Sequence, residues 1–89
     1  MRCMITITFH PQQLTEQQRT AMMVLIPDEQ AHIKVLREQG SIEELYLSTD
    51  RTHVWLVMQS DSLEQMQQML KMFPLYPYME TQFTELLAG

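Results

Sequence analysis

Residues 73–79, Phe73-Pro74-Leu75-Tyr76-Pro77-Tyr78-Met79, decide how the chain divides. Two prolines three residues apart fix φ at both sites and remove two backbone donors. Phe73 and Tyr76, each preceding a proline, are pushed toward extended backbone. No helix is expected to run through the stretch. Before it, Leu63, Met66, Leu70 and Phe73 recur at spacings of three and four, which predicts an amphipathic helix. After it, Met79, Thr81 and Phe83 alternate toward Leu86, which predicts a strand. Only 8% of the chain is aromatic, yet Phe73, Tyr76 and Tyr78 crowd into six residues. The stretch therefore reads as a stiff apolar connector that packs against something.

Working outward, Asp61 with Glu64 carries the N-cap signal for the preceding helix. Residues 53–59 (His-Val-Trp-Leu-Val-Met-Gln) and 42–49 (Ile-Glu-Glu-Leu-Tyr-Leu-Ser-Thr) read as two strands of a hairpin, with Asp50-Arg51 as its turn. Upstream, Gly40 is a helix stop. Met22, Leu25, Ile26, Ile33 and Leu36 form one helical stripe that opens at Thr15, with Gln18 in capping-box position. Pro27 interrupts the stripe. In mid-helix it costs roughly 3 kcal/mol if nothing compensates, so two pieces are expected, 15–26 and 28–38, kinked or separated by a turn. Residues 3–9 (Cys-Met-Ile-Thr-Ile-Thr-Phe) alternate and make the first strand, with Ile5, Ile7 and Phe9 on one face and Met4, Thr6 and Thr8 on the other.

The order is β-α-β-β-α-β. This predicts an α+β, ferredoxin-like domain over residues 1–89, with a four-stranded antiparallel sheet and both helices on one face. That layout leaves the other face bare. The third strand, Val54-Trp55-Leu56-Val57-Met58, is apolar on both sides, unlike a strand with one solvated face. Trp55, Val57 and Tyr46 would form an exposed apolar patch. A second copy covering that face, giving a dimeric α/β barrel, removes the conflict. Nine methionines and 45% hydrophobic residues supply ample apolar material for burial against such a partner.

Composition excludes other classes. The net charge of −5, without a basic cluster, argues against nucleic acid. Cys3 is the sole cysteine, so no internal disulfide is possible. The two glycines, Gly40 and Gly89, form no phosphate-binding loop. No run approaches the ~20 apolar residues of a membrane span. The N-terminal residues read as a strand rather than a signal peptide. A cytoplasmic protein is the expectation.

The stretch Phe73–Glu80 resembles the Leu-Phe-Pro-Tyr-Met-Asp segment before the last strand of the muconolactone isomerase family. Leu36-Arg37-Glu38-Gln39-Gly40 is similar to the end of that family's first helix. The resemblance implies a dimeric α+β barrel, assembled in many members into larger rings. It also implies a proton shift within an unsaturated lactone, without metal or organic cofactor. Three positions depart from the family pattern. Thr6 stands nearest the family's first-strand His. Gln30 follows Glu29 where the family has Lys. Glu44-Leu45-Tyr46-Leu47 replaces a polar, Arg-bearing strand. A lactone carboxylate calls for a cationic or strong hydrogen-bonding partner, and these positions supply no cation.

Glu29 is the leading candidate for a base, because a carboxylate on an apolar stripe has a raised pKa suited to proton abstraction. The competing reading is a first-turn acid favoured by the helix dipole. His32 shares its face at Glu-x-x-His spacing, a ligand spacing in helical metal sites, but nothing in the sequence completes such a site and no metal is expected. Thr6, Tyr46, Trp55, Val57, Tyr76 and Tyr78 are the candidates for pocket or interface. His10 and His53, at strand ends, stand where a barrel mouth would place a proton shuttle. Three functions remain open: a muconolactone isomerase-like enzyme acting on a small unsaturated lactone or carboxylic acid, a non-catalytic dimeric binding or assembly module, and a cofactor-free monooxygenase-like barrel.

Overall fold

The computed structural model describes residues 1–87. Its elements follow the expected order: β1 (Arg2–Thr8), α1 (Glu16–Val24), α2 (Ile26–Glu38), β2 (Ile42–Leu47), β3 (His53–Gln59), α3 (Leu63–Lys71) and β4 (Glu80–Glu85). The strands form one antiparallel sheet in the order β2-β3-β1-β4, the ferredoxin-like arrangement.

The pleat of β1 decides what lies where. Cys3, Ile5 and Ile7 are buried, and the residues between them are half-buried. Register places Leu56 opposite Ile5 and Met58 opposite Cys3. Onto this face come Leu36 from α2, Met66 and Leu70 from α3, and Phe73 from the connector, completing the core. The helices therefore cover one face only.

Local chemistry sets the helix ends. Thr15 Oγ1 accepts from the Gln18 N–H, and Gln18 Oε1 accepts from the Thr15 N–H, a complete capping box. α1 and α2 meet at Leu25, which keeps right-handed helical angles (φ −84°, ψ −11°), so the break is a junction of one residue and lies two residues before Pro27, not at it as the expected pieces 15–26 and 28–38 have it. Pro27 lies in the first turn of α2, where a missing N–H has no intrahelical partner to lose. At the far end, Gly40 adopts φ +80°. The Ser41 N–H then reaches the Leu36 carbonyl and the Gly40 N–H the Arg37 carbonyl, the Schellman closure.

Several expectations need correction. The cap of α3 is Ser62, whose Oγ accepts from the Gln65 N–H at 3.1 Å, while the Asp61 N–H donates to Gln65 Oε1. The cap sits one residue later than the Asp61/Glu64 reading, and it is not a reciprocal box, because Gln65 reaches the Asp61 N–H rather than that of Ser62. β2 ends at Leu47, because Ser48 and its neighbours are taken up by a side-chain-bonded loop. The connector is not extended throughout. Tyr76–Tyr78 form a single 3₁₀ turn, closed by the bond from the Met79 N–H to the Tyr76 carbonyl. Pro77 sits inside that turn where no donor is required. α1 contributes no buried residue, and of the apolar residues on the predicted stripe only Leu36 is buried, with Glu29 beside it. Among the described residues no helix is long and apolar enough to cross a membrane.

Candidate functional site

The sheet divides the candidate residues into two groups. Alternation puts Met4, Thr6 and Thr8 of β1 on the face away from the helices. Cross-strand pairing sets Thr6 beside Trp55 and Gln82, Thr8 beside His53 and Glu80, and Tyr46 beside Trp55. The core helices all lie on the other face, and among the described residues no helix packs on this one. It is less greasy than the sequence suggested. Val57 is only 3% exposed, sealed within the sheet between Met4 and Glu44, whereas Tyr46 is 56% exposed and its hydroxyl points to Glu44 Oε2 at 3.3 Å. Trp55 is half-buried, and the imidazole of His53 stacks on its indole, with centroids 5.7 Å apart and planes 14° from parallel.

The hairpin loop below this pair is organised by one carboxylate. Asp50 Oδ1 accepts from Ser48 Oγ at 2.7 Å, Thr52 Oγ1 at 2.7 Å and the Thr52 N–H at 3.0 Å. These donors, Ser48 first, hold the Asp50 carboxyl down to about 2. Ser48 Oγ also receives the His53 N–H, and Thr52 Oγ1 lies 2.8 Å from His53 Nδ1. Arg51 takes the left-handed angle φ 63° that carries the chain around the loop.

Glu29 and His32 lie on the other side of the sheet. Glu29 is 6% exposed, and its Oε1 accepts from the buried Leu75 N–H at 3.1 Å, pinning the connector to α2. Burial pushes the Glu29 carboxyl up, and the bond from Leu75 partly offsets that. His32 sets its ring edge against Phe73, with centroids 4.9 Å apart, and its Nε2 is buried without a hydrogen-bond partner among the described residues, so that nitrogen is not bonded to Glu29. Among the described residues no three His, Cys, Asp or Glu side chains come together as a metal site would require. The structure thus does not bring Glu29 to Thr6, Tyr46 or Trp55.

The two connector tyrosines also part company. Tyr76 packs against the helix-side core and borders a shallow cleft with Leu70, Thr81 and Phe83. Tyr78 lines a cleft of about 200 Å³ at the sheet's end with Phe9, Leu14, Met22 and Met79. His10 and Glu80 stand at its rim as a hydrogen-bonded pair, Nε2 to Oε2 2.5 Å. Sequence reasoning missed this pairing, which joins residues seventy positions apart. It also missed the Asp50 network, although hydroxyl or carboxylate at positions 48, 50 and 52 is the pattern of a side-chain-bonded loop.

Comparison with known proteins follows the same architecture. The family profile described as muconolactone delta-isomerase matches residues 1–88. A solved structure of muconolactone isomerase superposes with a TM-score of 0.79 at 22% identity, covering 100% of this chain and 91% of that one. The 5-chloro-2-hydroxyhydroquinone dehydrochlorinase of Burkholderia phenoliruptrix, in complex with 2,5-dihydroxybenzoquinone, superposes with a TM-score of 0.69 at 17% identity, covering 100% and 96%. At these identities the likeness is one of fold. No curated protein sequence matches the chain.

Proposed function

The chain belongs to the muconolactone delta-isomerase family, and from that membership we propose that it is a cofactor-free isomerase that moves a proton within a small unsaturated lactone or carboxylic acid. The observation that carries this reading is the uncovered sheet face. Thr6, Thr8 and Gln82 offer hydrogen bonds there beside Trp55 and Tyr46, a mixture suited to a small, partly polar ring. In this reading a second copy closes over the face and makes the pocket between two sheets. Tyr46 and Trp55 shape its walls and Val57 its floor.

Glu29 enters this reading as the residue that holds the connector, because its carboxylate is engaged by the Leu75 N–H on the helix side. A second reading, a non-catalytic dimeric binding module, draws its support from that engagement: the leading sequence candidate for the base is occupied elsewhere.

The deciding experiment is deuterium incorporation into muconolactone in D₂O. The isomerase reading expects exchange catalysed by the wild-type protein. No exchange, with muconolactone still raising the melting temperature, would favour the binding module. Exchange by Glu29→Gln should be undiminished, since the Glu29 carboxylate is engaged by the connector; a folded Glu29→Gln variant that no longer exchanges would put Glu29 in the chemistry instead.

A further inference from the structure

We propose that His53 is the general base of that proton shift, fixed by Asp50 and Thr52 in the tautomer that leaves Nε2 bare over the open sheet face. The inference rests on the isomerase reading for its reaction, but its geometry stands on hydrogen counting alone.

The Asp50 carboxyl is ionised at neutral pH and can only accept. Ser48 Oγ and Thr52 Oγ1, each 2.7 Å from Oδ1, must therefore both donate to it. A hydroxyl owns one hydrogen, so neither has another to give. Ser48 Oγ accordingly accepts the His53 backbone N–H at 3.0 Å. Thr52 Oγ1, 2.8 Å from His53 Nδ1, must likewise accept, so Nδ1 carries the ring proton. In the neutral ring Nε2 then holds the free lone pair. None of the described residues bonds to Nε2, and the stack on Trp55 fixes the plane in which that lone pair lies. Cross-strand pairing sets His53 beside Thr8, on the face the isomerase reading assigns to the substrate.

The step balances within the substrate. Nε2 takes the proton from an sp³ carbon conjugated through an alkene to the lactone carbonyl. The C–H electron pair moves into the conjugated system and places negative charge on the carbonyl oxygen. The imidazolium then returns the proton to the other end of the allylic system. One C–H bond breaks, another forms, and no co-reactant is consumed. Asp50, through Thr52, faces the positive charge that His53 carries in between. Asp50 and Thr52 are positioning residues, and His53 alone meets the substrate.

The test joins ¹⁵N NMR of the imidazoles to the deuterium-exchange assay on muconolactone. The wild-type protein should show His53 with a protonated Nδ1 and an unprotonated Nε2 when neutral. Thr52→Val should lose that preference, and Thr52→Ser should restore it. His53→Gln should lower exchange by roughly 10²-fold or more, with the dispersed amide spectrum reporting that it is folded. An Nε2–H tautomer in the wild-type protein overturns the relay whatever the activity. Wild-type exchange that survives His53→Gln overturns the base assignment while leaving the isomerase reading intact. A protonated Nδ1 without any wild-type exchange overturns the reaction, and the base role with it.

Discussion

Replacing Glu29 separates its bond from its charge. The residue is 6% exposed, and its Oε1 is the acceptor for the buried Leu75 N–H, 46 residues away in sequence. Glu29→Ala leaves that donor stranded, at a cost of about 1–3 kcal/mol. For a domain of this size each kcal/mol moves the melting temperature by roughly 4–8 °C, so a loss of about 2 kcal/mol lowers Tm by about 8–16 °C. Glu29→Gln keeps an oxygen at the same place and removes the burial of charge, so its Tm should stay within about 8 °C of wild type, equivalent to about 1 kcal/mol. The pH dependence separates the variants further. Burial raises the folded-state pKa of Glu29 above its ordinary 4.5. Between 4.5 and that higher value the folded state holds a proton that the unfolded state has released. Stability therefore falls as pH rises through this window and stays at the lower level above it. Both variants should lose this component of the slope. The assay is thermal melting by circular dichroism from pH 4 to 8, at one fixed protein concentration because self-association shifts Tm. Glu29→Gln falling as far as Glu29→Ala, or Glu29→Ala melting like wild type, would refute the reasoning.

Asp50 titrates in the opposite sense: its folded pKa of about 2 lies below the usual 3.8, so its contribution is complete above pH 3.8 and is lost as pH falls through 2. Acid unfolding of Asp50→Ala against wild type should show a stability gap that closes over that range. Met66 is fully buried between helix and sheet, and Met66→Ala should cost about 2–5 kcal/mol in urea unfolding. Gly40→Ala meets no atom within 4 Å, so its penalty is the left-handed backbone alone, about 1–2 kcal/mol by the same measurement. Trp55 is the only tryptophan and lies on the open face, so the proposal that a second copy covers that face expects its emission to shift to the blue with rising protein concentration and Trp55→Glu to be monomeric by light scattering; an emission independent of concentration would refute it.

Local signals were read well where one short segment contains both partners. The Thr15/Gln18 box, the stop at Gly40 and the alternation of β1 all lie within about a turn or a strand of their causes, and the division of the first helix was read too, though two residues late, at Pro27 rather than Leu25. The Asp61 misreading shows the limit of that approach. Asp61 and Ser62 are both good caps, and which one closes the helix depends on the fit of Gln65. The 3₁₀ turn at Tyr76–Tyr78 defeated the bias of a residue before proline because two flanking bonds bring Tyr76 into it. The site was less legible for a different reason. Glu29 sits on an apolar stripe, as read, but its partner is a backbone amide in the connector. The apolar stripe announced burial and carried no information about which donor would meet the carboxylate. Val57 was placed on the correct face, yet its burial depends on neighbouring strands.

The strand order has a consequence for what the molecule avoids. β2 and β4 are the two borders of the sheet, where unpaired N–H and C=O groups offer a template to any passing strand. β2 is interrupted by a register shift between Ile42 and Glu44, and it carries Glu43 and Glu44 there. β4 begins and ends in Glu80 and Glu85. A second copy adding at either border would bring these carboxylates against its own, although Glu43 is paired with Arg2 and Glu80 with His10, which leaves Glu44 and Glu85 to oppose it. Edge-to-edge growth is disfavoured at both borders, so the sheet's remaining adhesive surface is the aromatic face, perpendicular to them, that the other described residues leave open.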